Sequence, residues 1–272
     1  MALRARRTYH GAGPYIAFGA QPERRATYEL RQARYYALGE DIAREAARIG
    51  SDEARRCSLL DVGVFDGVSR RFAELHPGNE FIDYEGVDIY PYGVELVYKH
   101  QEWKLHNINL LGGMPGLASD SYDIVVCEQV LEHLSVVQPA IKDLVRVLKP
   151  GGLLIVGVPI FPERLHLIRK HVVPVTDRLF RLSRVRGHVQ AWSLRTFTRE
   201  LRDVPELEIT QRRGFRIVSG GILRPLEFTR WWWRWNVLIG SLLPAFCAEV
   251  QLVCRKKAIS QSTTGMLHRK AA

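Results

Sequence analysis

An acid that ends a short apolar run, with glycines close behind it, can hold a ligand as well as turn a chain. Ser58-Leu-Leu-Asp-Val-Gly-Val-Phe-Asp-Gly67 has that form and leads into Val-Ser-Arg-Arg-Phe-Ala-Glu-Leu. Gly63 and Gly67 allow positive φ or close backbone approach, and Asp61 can accept hydrogen bonds at the end of the run. The same glycines would also serve a plain strand-to-helix turn. A second acid, Asp88, lies about twenty residues past Gly67, the interval at which a doubly wound sheet places a carboxylate for ribose hydroxyls. Its plain alternative is a turn cap. Asn107 and Ile108 end a third run, where Asn107 could hydrogen-bond an adenine edge. Glu128, Gln129, Glu132 and His133 follow a fourth, and a histidine with a pKa of about 6.5 suits proton removal near neutral pH. Glu132 and His133 could equally cap a helix or order a loop.

These residues need strand ends to hold them. Apolar runs over 58–62, 81–90, 103–108, 122–128, 153–158, 207–218 and 248–254 read as strands, with Ile124, Val125 and Val126 expected to be buried on both faces. Helical spacing recurs over 26–50 through Tyr35, Leu38, Ile42, Ala46 and Ile49, with Gly50 as the expected C-cap. Further helices are expected over 66–76, from Pro139 to Leu148 and from Ser193 on, and Lys149-Pro-Gly-Gly152 is expected to stop the second of these. Alternation of this kind predicts an α/β fold with a parallel, doubly wound sheet.

Leu-Asp-Val-Gly-x-x-x-Gly, Asp88, Ser121-Tyr-Asp-Ile-Val, Val-Leu-Glu-His-Leu, Val147-Leu-Lys-Pro-Gly-Gly152 and Gly187-His-Val-Gln-Ala-Trp-Ser193 together resemble the class I S-adenosylmethionine-dependent methyltransferases, in the broad branch of the ubiquinone-biosynthesis O-methyltransferases. The resemblance covers about residues 57–257. A nicotinamide-binding domain fits less well, because its phosphate-binding glycine spacing is absent. The resemblance implies a Rossmann-like seven-stranded sheet with an antiparallel last strand. It also implies that Asp61, Gly63, Phe65 and Gly67 surround the methionine half of the cofactor, that Asp88, with Ile89 beside it, takes the ribose, that Asn107 and Ile108 flank the adenine, and that Glu128 and Gln129 close the crevice. His133, with Glu132, is the candidate catalytic base. One position departs from the pattern: the middle glycine of the usual Gly-x-Gly-x-Gly is Phe65, which narrows the loop against the methionine part. Glu-x-x-Glu-His binds a metal in the related small-RNA 2′-O-methyltransferases. Here the first acid is Gln129, a poor substitute for a carboxylate at a hard cation even if His133 and His188 converge, so no metal is expected.

The 272 residues suit one elaborated domain: an N-terminal helical lid over 1–50, the methyltransferase domain over 51–257 with cap insertions at about 160–190 and 222–246, and a disordered tail over 258–272. Net charge is +10, through scattered arginines rather than one dense tract, which is compatible with an acidic acceptor, RNA or anionic membrane, or with an arginine-rich background. Seven basic residues between Pro159 and Gly187, from Arg164 to Arg186, face only Glu163 and Asp177. The N-terminus lacks a secretory apolar core, and Cys57, Cys127, Cys247 and Cys254 show no C-x-x-C spacing, so reduced thiols and a cytoplasmic location are expected. Arg230-Trp-Trp-Trp-Arg-Trp through Phe246 is too interrupted to span a bilayer, but could lie at a membrane interface, or pack against the sheet or a second subunit. The expected activity is methyl transfer to oxygen of a small metabolite, sugar or lipid-linked glycan. RNA methylation, or a cofactor-binding scaffold that no longer transfers methyl groups, are the alternatives.

Overall fold

The computed structural model describes residues 25–65, 67–89, 104–163, 189–217, 226 and 229–258, with 25–32, 230 and 233 as backbone. The cap segment 164–188 with its arginines, His188, the first turn at Asp66, Tyr90 and the tail from 259 lie outside the described residues.

Seven strands form one sheet: β1 (Cys57–Val62), β2 (Ile82–Asp88), β3 (Lys104–Asn107), β4 (Tyr122–Glu128), β5 (Leu148–Pro159), β6 (Leu207–Ile217) and β7 (Cys247–Lys256). Their order across the sheet is β3-β2-β1-β4-β5-β7-β6. β1 to β5 pair in parallel, and β7 runs antiparallel to both β5 and β6. Every residue of β4 is buried, as an apolar run covered on both faces requires.

Alternate residues of each strand feed two cores. Leu59, Ile124, Val126 and Ile155 face α1 (Arg25–Glu53) and α2 (Val68–Ala73), where Leu38, Ile42, Ala46, Ile49 and Phe72 complete the layer. Leu60, Val125, Cys127 and Val156 face α3 (Gln138–Val147) and α4 (Leu194–Arg202), packing with Ile141, Leu144, Phe197 and Leu201. Burying each such side chain contributes about 1.5–3 kcal/mol, so the period-two pattern fixes which way every strand faces. All four cysteines are buried free thiols.

Three expectations about element ends are corrected. Gly50 does not cap α1, which runs on to Glu53; Arg48 pairs with Asp52 and Glu53 along the last turn. Gly50 serves packing instead, because a Cβ there would lie 2.7 Å from the Phe81 ring. The expected lid boundary at residue 50 therefore falls inside α1. Lys149-Pro-Gly-Gly152 ends α3 but belongs to β5, whose Leu148 already pairs with Tyr122 across a bulge. The strand over 81–90 is shorter, because Asn79–Phe81 is a 3-10 turn.

Candidate functional site

The carboxyl ends of β1, β2 and β4 surround a cavity of about 410 Å³. After Val62 the chain is pinned to β2, since the amides of Gly63 and Val64 both donate to the Val87 carbonyl, at 2.7 and 3.2 Å. Gly63 has φ 79°, and a Cβ on it would overlap Val130 Cγ2, so only glycine lets this turn approach the β4 loop. Phe65 follows with φ 42°, a left-handed conformation that strains a non-glycine residue, and the residue is 52% exposed at the cavity wall. Its amide donates to Asp88 Oδ2 at 2.9 Å.

Asp61, Gly63, Phe65, Asp88, Ile89, Ile108, Glu128, Gln129 and His133 all line this cavity. Gly67 and Asn107 do not. Gly67, φ 70°, precedes α2 and closes the turn by donating to the Val64 carbonyl at 2.7 Å. Asn107 ends β3 exposed, and Asn109 stands in the cavity wall, its side chain capping the next turn through the Leu111 amide at 3.0 Å. Sequence spacing placed the polar group two residues early because the chain passes Ile108 before turning inward.

Gln129 carries the β4 loop through φ 57°, its amide donating to the Gly157 carbonyl at 2.8 Å. Its Nε2 is buried with no hydrogen-bond partner among the described residues, and so is available to a ligand. His133 ends the 3-10 turn Leu131–His133 and is exposed at the cavity wall. Glu132 does not reach the cavity. It is fully buried, no described neighbour donates to either carboxylate oxygen, and its carbonyl holds the amides of Val189 and Gln190 at 2.8 and 3.0 Å. Burial pushes its carboxyl up to about 8.

Glu128 sits in a buried polar cluster behind the cavity. Gln251 Nε2 donates to its Oε1 at 2.7 Å, and Arg34 from α1 lies 3.6 Å from its Oε2. Arg34 Nη1 also pairs with Glu249 at 2.6 Å, whose other oxygen takes Arg216 at 2.5 Å. Burial raises Glu128 to about 7, only partly offset by Arg34 and Gln251. Gly157 makes room for this carboxylate, which a Cβ there would overlap. Tyr35 completes the near wall, stacked on Phe72 at 5.6 Å between centroids.

The sequence reading missed Arg34, Tyr35, Glu249 and Gln251. The signal was present: Glu249 and Gln251 are polar residues two apart within the apolar run Cys247–Cys254 of the strand, hence on one buried face. Among the described residues, no three His, Cys, Asp or Glu side chains gather in a metal-binding arrangement. A larger depression of about 730 Å³ lies at the amino edge of the sheet, beside Asp120 and Lys256, away from all these residues.

The site's features fit a nucleoside-bearing cofactor: a glycine cradle that a Cβ would fill, a carboxylate at a strand end, and an unpaired buried amide donor. Residues 60–156 match the family model described as a methyltransferase domain. No curated protein matches the chain. Among solved structures, a Galdieria sulphuraria protein provisionally called a sarcosine dimethylglycine methyltransferase superposes with a TM-score of 0.56 at 13% identity, over 93% of this chain and 98% of its own. The N-methyltransferase NodS of Bradyrhizobium japonicum, solved with S-adenosyl-L-homocysteine, gives 0.50 at 14% identity over 94% and 98%. The [4+2]-cyclase SpnF gives 0.53 at 15% identity over 94% and 93%. At these identities the superpositions speak for the fold alone, and the segment that matches the methyltransferase-domain model runs from the middle of β1 through most of β5, the part of the sheet that carries the cavity.

Proposed function

We propose that this protein transfers the methyl group of S-adenosylmethionine to an oxygen of a small metabolite, sugar or lipid-linked glycan. The observation that supports this reading most is that one cavity is lined both by the Gly63–Phe65 turn with Asp88 and by His133. Bound there, the cofactor supplies an electrophilic methyl group. Asp88 accepts from the ribose hydroxyls while still holding the Phe65 amide, and Gln129 Nε2 donates to the ligand. Ile108, Leu110, Leu111 and Val130 give the cavity an apolar wall. His133 takes the proton from the acceptor hydroxyl as its oxygen approaches in line, and holding the two partners in that geometry supplies most of the acceleration. Glu132 acts behind it as a positioning residue, tying the His133 turn to 189–190.

Calorimetric titration of the full chain with S-adenosylmethionine tests the reading. Binding abolished by Asp88→Ala is the expected result, and no binding at millimolar cofactor rejects methyl transfer. His133→Ala is expected to bind cofactor normally but to lose the alkaline rise in rate; an unchanged pH profile rejects the base role. Phe65, strained and projecting at the wall, favours a second reading in which the fold binds the cofactor without transferring its methyl. Binding without turnover on any hydroxyl acceptor would be its signature. RNA as acceptor requires affinity that falls steeply with salt, and salt-insensitive binding removes it.

A further inference from the structure

The helix α5 (Arg230–Leu242) has one buried face and an exposed apolar stripe beside it. Trp232, Asn236 and Gly240 recur at the spacing of one face and are buried, with Asn236 Nδ2 donating back to the Trp232 carbonyl at 3.0 Å. Gly240 packs so closely on the Gly214 carbonyl of β6 that any Cβ would overlap it. The adjoining stripe is Trp231, Trp235, Leu238 and Leu242, spaced as one helical face and turned to solvent, with Trp231 and Trp235 leaning on Trp232 at 5.5 and 5.0 Å between centroids; Leu238 is 59% and Leu242 66% exposed. Leu243 and Phe246 extend the apolar surface past the helix end. Arg234 lies exposed between the tryptophans.

Such a surface needs an occupant. From Thr229 to Phe246 the chain carries Arg230 and Arg234 and no acid, and the whole molecule carries +10. A second copy would bring the same charge to the same patch, whereas an anionic lipid surface is attracted by it. Tryptophan suits the headgroup boundary, with an apolar ring and one N–H donor, while arginine pairs with phosphate and leucine and phenylalanine enter the acyl region. We propose that α5 and the turn through Phe246 dock this protein on an anionic bilayer, lying in the interface without crossing it. No helix among the described residues is long and apolar enough to span a membrane.

The position of α5 gives the contact a use. Gly214 pairs with Val250, Val250 pairs with Val158, and Gly157 pairs with Glu128, so α5 rests at the carboxyl edge of the sheet, where the cavity opens. Docking would bring that edge to headgroup level. Resting on the methyl-transfer reading, this narrows the acceptor to an amphiphile whose reactive oxygen sits at the headgroup.

Flotation of the full chain with phosphatidylglycerol–phosphatidylcholine vesicles, without cofactor, tests the docking independently of catalysis. Binding with a blue-shifted tryptophan emission is expected, weaker on pure phosphatidylcholine and at high salt. Trp231→Ser with Trp235→Ser should lower partitioning at least about tenfold, and so should Arg234→Glu with Leu238→Glu, which alters only exposed positions; thermal melts monitor folding. No vesicle binding, or binding unchanged in both variants, overturns the proposal. So does a self-association that the same substitutions abolish, which would assign the face to a second copy. Cofactor binding and turnover both stay intact if only the docking fails, whereas lost binding, or binding without turnover, marks the failure of the methyl-transfer reading.

Discussion

The amide of Phe65 donates to Asp88 Oδ2 at 2.9 Å, so the residue that departs from the glycine pattern is tied by its backbone to the carboxylate assigned to the ribose. Backbone and side chain of Phe65 therefore have separable effects. Phe65→Gly keeps the N–H, relieves the positive φ and removes the ring from the cavity wall. Strain relief of about 1–2 kcal/mol is opposed by a glycine entropy cost of about 0.5–1 kcal/mol. Denaturation should thus show a change of no more than about 1.5 kcal/mol, while titration with S-adenosylhomocysteine should show tighter binding. Weaker binding would mean that the ring is part of the cradle.

Gly63→Ala should be far more costly. The new Cβ collides with Val130 and adopts φ 79°. A loss of roughly 2–4 kcal/mol in urea unfolding is expected, partly recovered by adding Val130→Ala. If the double variant is no more stable than the single one, the clash is not the cause.

Glu132 predicts a pH dependence of stability. Its carboxyl is raised to about 8 in the fold, against an ordinary value near 4.5 in the unfolded chain, so the fold binds the extra proton. Its contribution is complete below about pH 4.5 and is lost as pH rises toward and through about 8. Glu132→Gln should flatten this decline between pH 5 and pH 9 and be the more stable protein at pH 9, by a few kcal/mol at most. Parallel unfolding curves for the two proteins across that range would reject the assignment.

Asp123 behaves oppositely. It is buried, but Arg55 holds it through two 2.7 Å contacts, Ser58 donates its amide and hydroxyl at 2.9 and 2.8 Å, and Lys149 lies at 3.0 Å. Burial alone would raise its carboxyl; these partners outweigh it and hold the group well below the usual carboxylate range. Its contribution is present above about pH 4 and lost only in strong acid. Asp123→Ala is expected to cost about 3 kcal/mol at neutral pH while leaving cofactor affinity unchanged, since it lies at the amino edge of the sheet. A large fall in cofactor affinity at unchanged stability would contradict that separation.

This pair of edges explains what was legible in the sequence. Ser121-Tyr-Asp-Ile-Val and Leu-Lys-Pro-Gly-Gly, two of the phrases that carry the resemblance, meet through Asp123 and Lys149 and fasten the end of the sheet away from the cavity. They mark the fold and do no chemistry. The fold was readable because strand burial on both faces gives unbroken apolar runs and connecting helices give a different period. The cavity was readable where it is local, at Asp61, Gly63, Asp88 and Gln129. Glu249 and Gln251 were legible only as a polar pair on one face of β7, because their partner Arg34 lies on α1, a long-range contact that no local spacing encodes. Glu132 and His133 are neighbours in sequence that a 3-10 turn sends to different surroundings, one buried and one at the cavity wall.

β7, the last strand in chain order among the described residues, occupies an interior place in the sheet, between β5 and β6. Because β7 follows β6 in the chain and pairs with both β5 and β6, neither of those edges has its partner until β7 has been made. Gln251, which donates to the Arg34 carbonyl from 217 residues away, closes the sheet and the polar cluster in the same event. A chain interrupted before that point would therefore expose two unpaired strand edges and have an unfinished cavity wall, so loss of function and a tendency to aggregate should arise together in C-terminal truncations.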